Sequence, residues 1–125
     1  MIVLDSSALL AVILEEPGAD RVVETFSEAT ISAATLTEIL SKARQRGLST
    51  DGSYRQIVKF GIAVAPVTTL HARIAAEISR APRELDLSLG DRLCIALAMS
   101  LDCGLVTSDR GIAGFDTGIP ITMFR

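Results

Sequence analysis

The chain has 125 residues, 49% of them hydrophobic and 22% charged. That balance excludes disorder as a whole-chain state and fits a single domain over residues 1–125 with a real core. Twelve basic residues stand against fifteen acidic ones, a formal net charge of -3, which argues against a protein that grips nucleic acid mainly through a positive surface. It leaves room for one that reaches phosphates through a bound cation, because the ion then carries the positive charge locally.

Ile2 to Leu4 form a short apolar run that ends at Asp5-Ser6-Ser7, the pattern of a buried strand releasing into a helix over about Ser7 to Leu14. Pro17 and Gly18 break that helix, and Val22, Val23 and Phe26 predict a second over about Ala19 to Glu28. Thr30 and Ile31 suggest a strand. Ser32 then caps a helix whose apolar positions Leu36, Ile39, Leu40 and Ala43 share one face, ended by Gly47. Beyond Asp51-Gly52-Ser53 a further helix is expected to pack through Tyr54, Ile57, Val58 and Phe60. Ile62 to Val67 read as a strand, with Pro66 confined to an end or an edge.

Thr68 or Thr69 caps a helix through Ser79 with Leu70, Ile74 and Ile78 in its stripe, and Pro82 stops it before a polar loop to Leu87. Ser88 precedes another helix, with Leu93, Leu97 and Leu101 on one line and Gly104 at its end. Leu105 to Thr107 and Ile119 to Phe124 are the last two strands. Short apolar strands between helices predict an α/β fold, a three-layer sandwich around a central, mostly parallel sheet.

Cys94 and Cys103 are the only cysteines. Both lie in or beside apolar helical sequence, so they read as buried thiols in a reducing compartment. The opening segment lacks a basic start and meets Glu15 and Glu16 after a short apolar run, so neither a signal peptide nor a membrane span is expected and a cytoplasmic location is. Helix one is apolar over Leu9, Leu10, Val12, Ile13 and Leu14, wider than a single core-facing stripe needs, which hints at a second molecule on one side.

A parallel sheet presents its reactive groups beyond the carboxyl ends of its strands. Asp5 and Asp109 fall there, Asp91 falls in the first turn of its helix, and Glu38 lies on the shoulder of a buried helical face. Each has a structural explanation as well. Asp91 could complete a capping box with Ser88, Glu38 could pair with Lys42, and Asp109 could start a turn before Arg110 and Gly111. Asp116, between Gly114 and Gly118, reads as a turn. Carboxylates about 4 Å apart repel by roughly 4 kcal/mol per pair at an effective dielectric of about 20. A cluster of them calls for a hard divalent ion such as Mg²⁺ or Mn²⁺. His71 is the only histidine; it reads as a surface or cap-adjacent residue, not a zinc ligand.

Three segments resemble the PIN-domain ribonucleases, specifically the VapC toxins of bacterial and archaeal toxin–antitoxin pairs. IVLDSSALLAVILEEPGAD resembles the first strand with its metal-binding aspartate, here Asp5. ISAATLTEIL resembles the second acidic motif, with Glu38, and LDLSLGDRLCIALAMSLDCGLVTSDRGIAGF the last two, with Asp91 and Asp109. Ser6 or Ser7 resembles the small polar residue beside the first aspartate, and Thr107 the hydroxyl before the last. The resemblance implies RNA cleavage with Mg²⁺ or Mn²⁺, with Asp5, Glu38, Asp91 and Asp109 as metal-binding and catalytic acids. It also implies a homodimer and a cognate antitoxin that covers the groove.

Arg92 and Arg110 directly follow two of those acids and are the candidates for RNA-phosphate contacts, with Arg44 and Arg46 as further ones. Two other classes compete. A phosphoaspartate enzyme or receiver domain would need Asp-x-Asp or paired early acids, where this chain has Asp5-Ser6-Ser7. A non-catalytic binding module on a degenerate nuclease fold would keep the fold without the ion.

Overall fold

The computed structural model describes residues 1–78, 87–114 and 116–125. Five strands, β1 (Ile2–Leu4), β2 (Ala29–Ser32), β3 (Ala63–Ala65), β4 (Gly104–Thr107) and β5 (Ile121–Met123), form one sheet in the order β3-β2-β1-β4-β5. Every pairing is parallel, so the expected mostly parallel sheet is wholly so. The helices are α1 (Ser6–Ile13), α2 (Ala19–Val23), α3 (Ala33–Gln45), α4 (Thr50–Lys59), α5 (Thr69–Ile78), α6 (Leu89–Leu101) and α7 (Arg110–Ala113).

Strand alternation explains the three layers. Leu4 and Val106 point into a core with α1 to α4, which contribute Leu9, Val22, Ile39 and Ile57. Val3 and Leu105, one residue earlier on the same strands, point into the opposite core with Ile78 of α5 and Ile95 and Leu97 of α6. Both faces of the central strands are thereby dry, which is why their sequences carry no polar alternation. The chain winds outward from β1 through β2 to β3, then jumps back across β1 to β4. That reversal opens a crevice at the carboxyl ends of β1 and β4, where ligands of such sheets bind.

The structure departs from the sequence expectations in helix rotation and helix ends. The helix expected over Ala19 to Glu28 stops after Val23. Thr25 turns its hydroxyl back to the Val22 carbonyl (2.7 Å), and a 3₁₀ turn, Phe26–Glu28, comes next. In α4 the core-facing line is Ser53 and Ile57, whereas Tyr54 and Val58 are 43% and 56% exposed. In α5, Leu70 is 54% exposed and the buried line is His71, Ala75 and Ile78. His71 does cap its helix, as its position suggested, but it is buried. Its backbone N–H donates to Thr68 Oγ1 (3.2 Å), its Nδ1 accepts from Thr68 N (3.3 Å), and Nε2 meets Ser100 Oγ on α6 (3.1 Å).

Pro66 comes directly after β3, an edge strand, as its missing donor requires. Cys94 is buried, whereas Cys103 is only partly so. The wide apolar surface of α1 is used within the chain: Ala8 to Ala11 are buried, and Val12, Ile13 and Leu14 pack partly buried against the same core. No second molecule is needed to explain it. The expected helix end at Ser79, its stop at Pro82 and the loop toward Leu87 lie outside the described residues. Among the described residues, no helix is long and apolar enough to cross a membrane.

Candidate active site

Asp5 leaves the carboxyl end of β1 and becomes the N-cap of α1, so the strand-to-helix turn fixes its side chain at the sheet's edge. It is 3% exposed. Its Oδ1 accepts from Ser7 Oγ (2.6 Å) and from the Ala8 backbone N–H (3.0 Å), and its Oδ2 accepts from the Thr107 hydroxyl at the end of β4. The small polar residue beside the first aspartate is therefore Ser7. Ser7 and Thr107 in turn accept backbone N–H bonds from Ser108 (3.0 Å) and Asp109 (2.9 Å). Two adjacent parallel strands are thus tied together at their carboxyl ends through one carboxylate.

Burial pushes the Asp5 carboxyl above its ordinary range. The bonds from Ser7, Thr107 and Ala8 pull it back, and the charge of Asp91 raises it again. Glu38, on α3 and half-buried, is also raised. Burial leads, followed by the charge of Asp91; Lys42, one turn further along α3, draws it down, and Asp5 adds a last increment upward. The same three carboxylates push up the Cys94 thiol, which burial has already raised well above its usual value. Cys94 sits one helical turn beyond Asp91, and its thiol points at the Leu4 carbonyl (3.8 Å), directly before Asp5. Four groups on three elements therefore share one electrostatic neighbourhood. The charges of Asp5, Asp91 and Glu38, far apart in sequence, all bear on Cys94.

Asp91 also performs the structural role open to it. It forms a capping box in which its backbone N–H donates to Ser88 Oγ (3.1 Å) and its Oδ2 accepts from Ser88 N (3.2 Å). Asp109 is placed differently. It is exposed, caps the short helix α7 by accepting from Gly111 N (2.7 Å), and meets the cluster only through its backbone N–H on Thr107. Asp116 accepts from Gly118 N (3.2 Å) in a turn.

Arg92 is part-buried and donates to the Ala75 carbonyl of α5 (3.4 Å), while Arg110 lies exposed on the first turn of α7. Arg44 and Arg46 are exposed at the end of α3. Beside Glu38, α3 and α6 enclose an open groove of about 450 Å³ lined by Ala34, Thr37, Lys42, Leu89 and Leu93.

Sequence reasoning overlooked Gly90. A methyl group there would fall 2.7 Å from Glu38 Cδ and 3.3 Å from Oε2, with Oε1 closer still. The available signal was a glycine inside the first turn of a helix, directly before a candidate ligand. The donor set of carboxylates and hydroxyls suits a hard divalent cation. Among the described residues, however, no group of three or more acids, histidines or cysteines is gathered tightly enough to hold one as it stands.

The PIN-domain family model matches residues 2–117. The chain belongs to the PIN-domain family. Solved structures repeat this PIN fold over nearly the whole chain. A toxin–antitoxin complex from Klebsiella pneumoniae superposes with a TM-score of 0.78 at 16% identity, covering 100% of this chain and 98% of that one. The DNA-bound VapBC complex of Salmonella typhimurium gives 0.73 at 20% identity, covering 99% and 98%. A sarcin–ricin-loop-cleaving toxin of Mycobacterium tuberculosis gives 0.71 at 16% identity, covering 94% and 98%. At these identities the likeness is one of fold. No curated protein matches the chain in sequence.

Proposed function

We propose that this PIN-domain protein, one nuclease domain over residues 1–125, is a Mg²⁺- or Mn²⁺-dependent endoribonuclease, the toxin of a VapC-type toxin–antitoxin pair. The observation that carries this is that buried Asp5 and half-buried Glu38 both feel the charge of Asp91, with the Glu38 carboxylate laid against Gly90, the residue before Asp91. Such an arrangement is an electrostatic burden to a fold unless a cation offsets it. Support for the toxin role comes from the PIN match and from the likeness to chains of toxin–antitoxin complexes.

Asp5 and Asp91 would hold the ion, and Glu38 would bind it from a second side or orient the attacking water. Asp109, reached through Thr107, would act from the rim. When bound, such an ion supplies charge stabilisation and activation of water for phosphodiester hydrolysis. The chain's own residues supply the rest. Ser7, Thr107 and the Ala8 N–H fix the Asp5 carboxylate, which leaves little reorganisation when a ligand arrives. Glu38, held with fewer bonds, has the freedom and the raised proton affinity to take or position a proton. Exposed Arg110 is better placed for an RNA phosphate than Arg92, whose guanidinium already serves the Ala75 carbonyl.

The partners of such a toxin are an RNA substrate, a cognate antitoxin and a second copy of the chain in a homodimer, in the cytoplasm. Total RNA incubated with the purified protein should be cut in Mn²⁺ or Mg²⁺, spared in EDTA, and spared by Asp5→Ala. Cleavage that persists in EDTA or in Asp5→Ala would overturn the proposal.

The looseness of the acids, with no ready-made group of three among the described residues, favours a second reading, a non-catalytic binding module on the same fold. Calorimetric titration separates the two. An enzyme should take up Mn²⁺ and lose that uptake in Asp5→Asn and Asp91→Asn, whereas a module should give no heat.

A further inference from the structure

Glycine within a helix weakens it, because it gives up more chain entropy than any other residue. Gly90 sits in the first turn of α6, between Leu89 and Asp91. Its backbone does not require glycine, since the left-handed glycines are Gly18, Gly47, Gly61 and Gly118, and Gly90 is not among them. What fills the space of a side chain at position 90 is the carboxylate of Glu38, reaching across from α3.

Building on the metal-dependent site proposed above, we infer that Gly90 is a positioning residue: its missing side chain is the berth in which Glu38 lays its carboxylate beside Asp91. Any Cβ at position 90 overlaps Oε1 and crowds Cδ at 2.7 Å and Oε2 at 3.3 Å. The backbone of α6 need not move to relieve that overlap, because the obstructing atoms are the free end of a flexible side chain. Glu38 swings out instead. The two consequences run in opposite directions. The helix gains a better helix former, and the site loses the approach of one acid to another.

That opposition makes the inference testable. Gly90→Ala should unfold at the same temperature as the parent or higher, yet bind Mn²⁺ by calorimetry about 10- to 100-fold more weakly, the scale on which outer contacts of a metal site matter. In a Glu38→Ala background the same Gly90→Ala change should leave Mn²⁺ affinity unaltered, because the residue it acts through is gone. Glu38→Asp, shorter by one methylene, should recover part of the affinity lost in Gly90→Ala. Two results would overturn the inference. One is Mn²⁺ affinity in Gly90→Ala equal to the parent's while Glu38→Ala weakens it. The other is an equal loss from Gly90→Ala with and without Glu38. If the parent itself takes up no Mn²⁺, the metal site fails, a result distinct from either of these.

Discussion

Asp5 and Asp109 occupy similar but offset places in two copies of one local motif, Asp5 one residue past the Leu4–Val106 pair of β1 and β4 and Asp109 three residues past it. Each comes after a buried strand of the same parallel sheet, on neighbouring strands β1 and β4, and each caps the next helix. Yet Asp5 is buried with both oxygens engaged, and Asp109 is exposed at the start of a four-residue helix. Distance from the end of the sheet accompanies the difference. Asp5 stands close enough to the end of β4 to take the Thr107 hydroxyl on its own carboxylate, whereas Asp109 reaches Thr107 through its backbone N–H and turns its side chain to Gly111. The same motif therefore yields a buried, fully bonded carboxylate after one strand and an exposed helix cap after its neighbour.

The sharpest way to break that comparison is to remove each acid. Asp5→Ala withdraws the acceptor of Ser7, Thr107 and the Ala8 N–H, and the cap alone is worth about 1 kcal/mol. RNA cleavage should fall by more than about 100-fold, past the range that outer-contact changes reach. Asp5→Asn separates charge from hydrogen bonding. It keeps an acceptor for Ser7 and Ala8, so the metal-free protein should melt near the parent's temperature while the stabilisation that Mn²⁺ gives the parent disappears. A melting curve in which Mn²⁺ still stabilises Asp5→Asn would deny Asp5 its role.

Thr107 joins the two aspartates. Its hydroxyl donates to Asp5 and accepts from Asp109 N in a fully buried position. Thr107→Val keeps the shape but takes the donor from the buried Asp5 Oδ2 and the acceptor from the part-buried Asp109 N–H, a loss of about 1–3 kcal/mol. Chemical denaturation should show a lower midpoint with an unchanged slope.

These acids also mark how far the sequence could be read. Asp5, Glu38 and Asp91 were legible because strand ends, caps and a helical shoulder are local features, and the alternation of helix and strand left a parallel sheet as the natural way to join them. Depth was not legible. The turn read at Asp109 is the start of α7, a helix the sequence reading did not place, and Gly111 within it and Gly114 after it keep it short. Tyr54 and Val58 looked like core, but Ser53 and Ile57 take the buried line, because a rotation of one residue about the helix axis is decided by the surface it meets. His71 is buried because Ser100, 29 positions later, receives it. Gly90 could not be interpreted without knowing that Glu38 arrives from another helix.

Burial also separates the acids in their response to pH. Folding raises the carboxyls of Asp5 and Glu38 above their ordinary values of 3.8 and 4.5. The folded state then binds protons more tightly than the unfolded one, so their contribution to stability is best below those values and is lost as pH rises through the raised ones. Glu38→Gln removes one such group. In EDTA at neutral pH it should melt above the parent by about 1–2 °C, a shift of a few tenths of a kcal/mol. The two melting temperatures should converge as pH falls below the ordinary glutamate value of 4.5, where the carboxyl holds its proton in the folded and the unfolded parent alike. A gap that stays constant with pH would assign it to packing instead of charge.

Asp109→Asn is the gentlest of these changes and bears most directly on the comparison. Asparagine caps a helix about as well as aspartate, and the position is exposed, so stability should change by less than about 0.5 kcal/mol. Its Oδ1 still accepts from Gly111 N, and its backbone N–H still reaches Thr107, so the support of Asp5 survives. What it loses is one negative charge at the rim. If Asp109 serves the ion from there, Mn²⁺ affinity should fall by less than in Asp5→Asn while cleavage at saturating Mn²⁺ stays measurable. A loss as complete as that of Asp5→Asn would mean that the exposed aspartate moves inward when the ion binds, and that the asymmetry between the two strands belongs to the metal-free state alone.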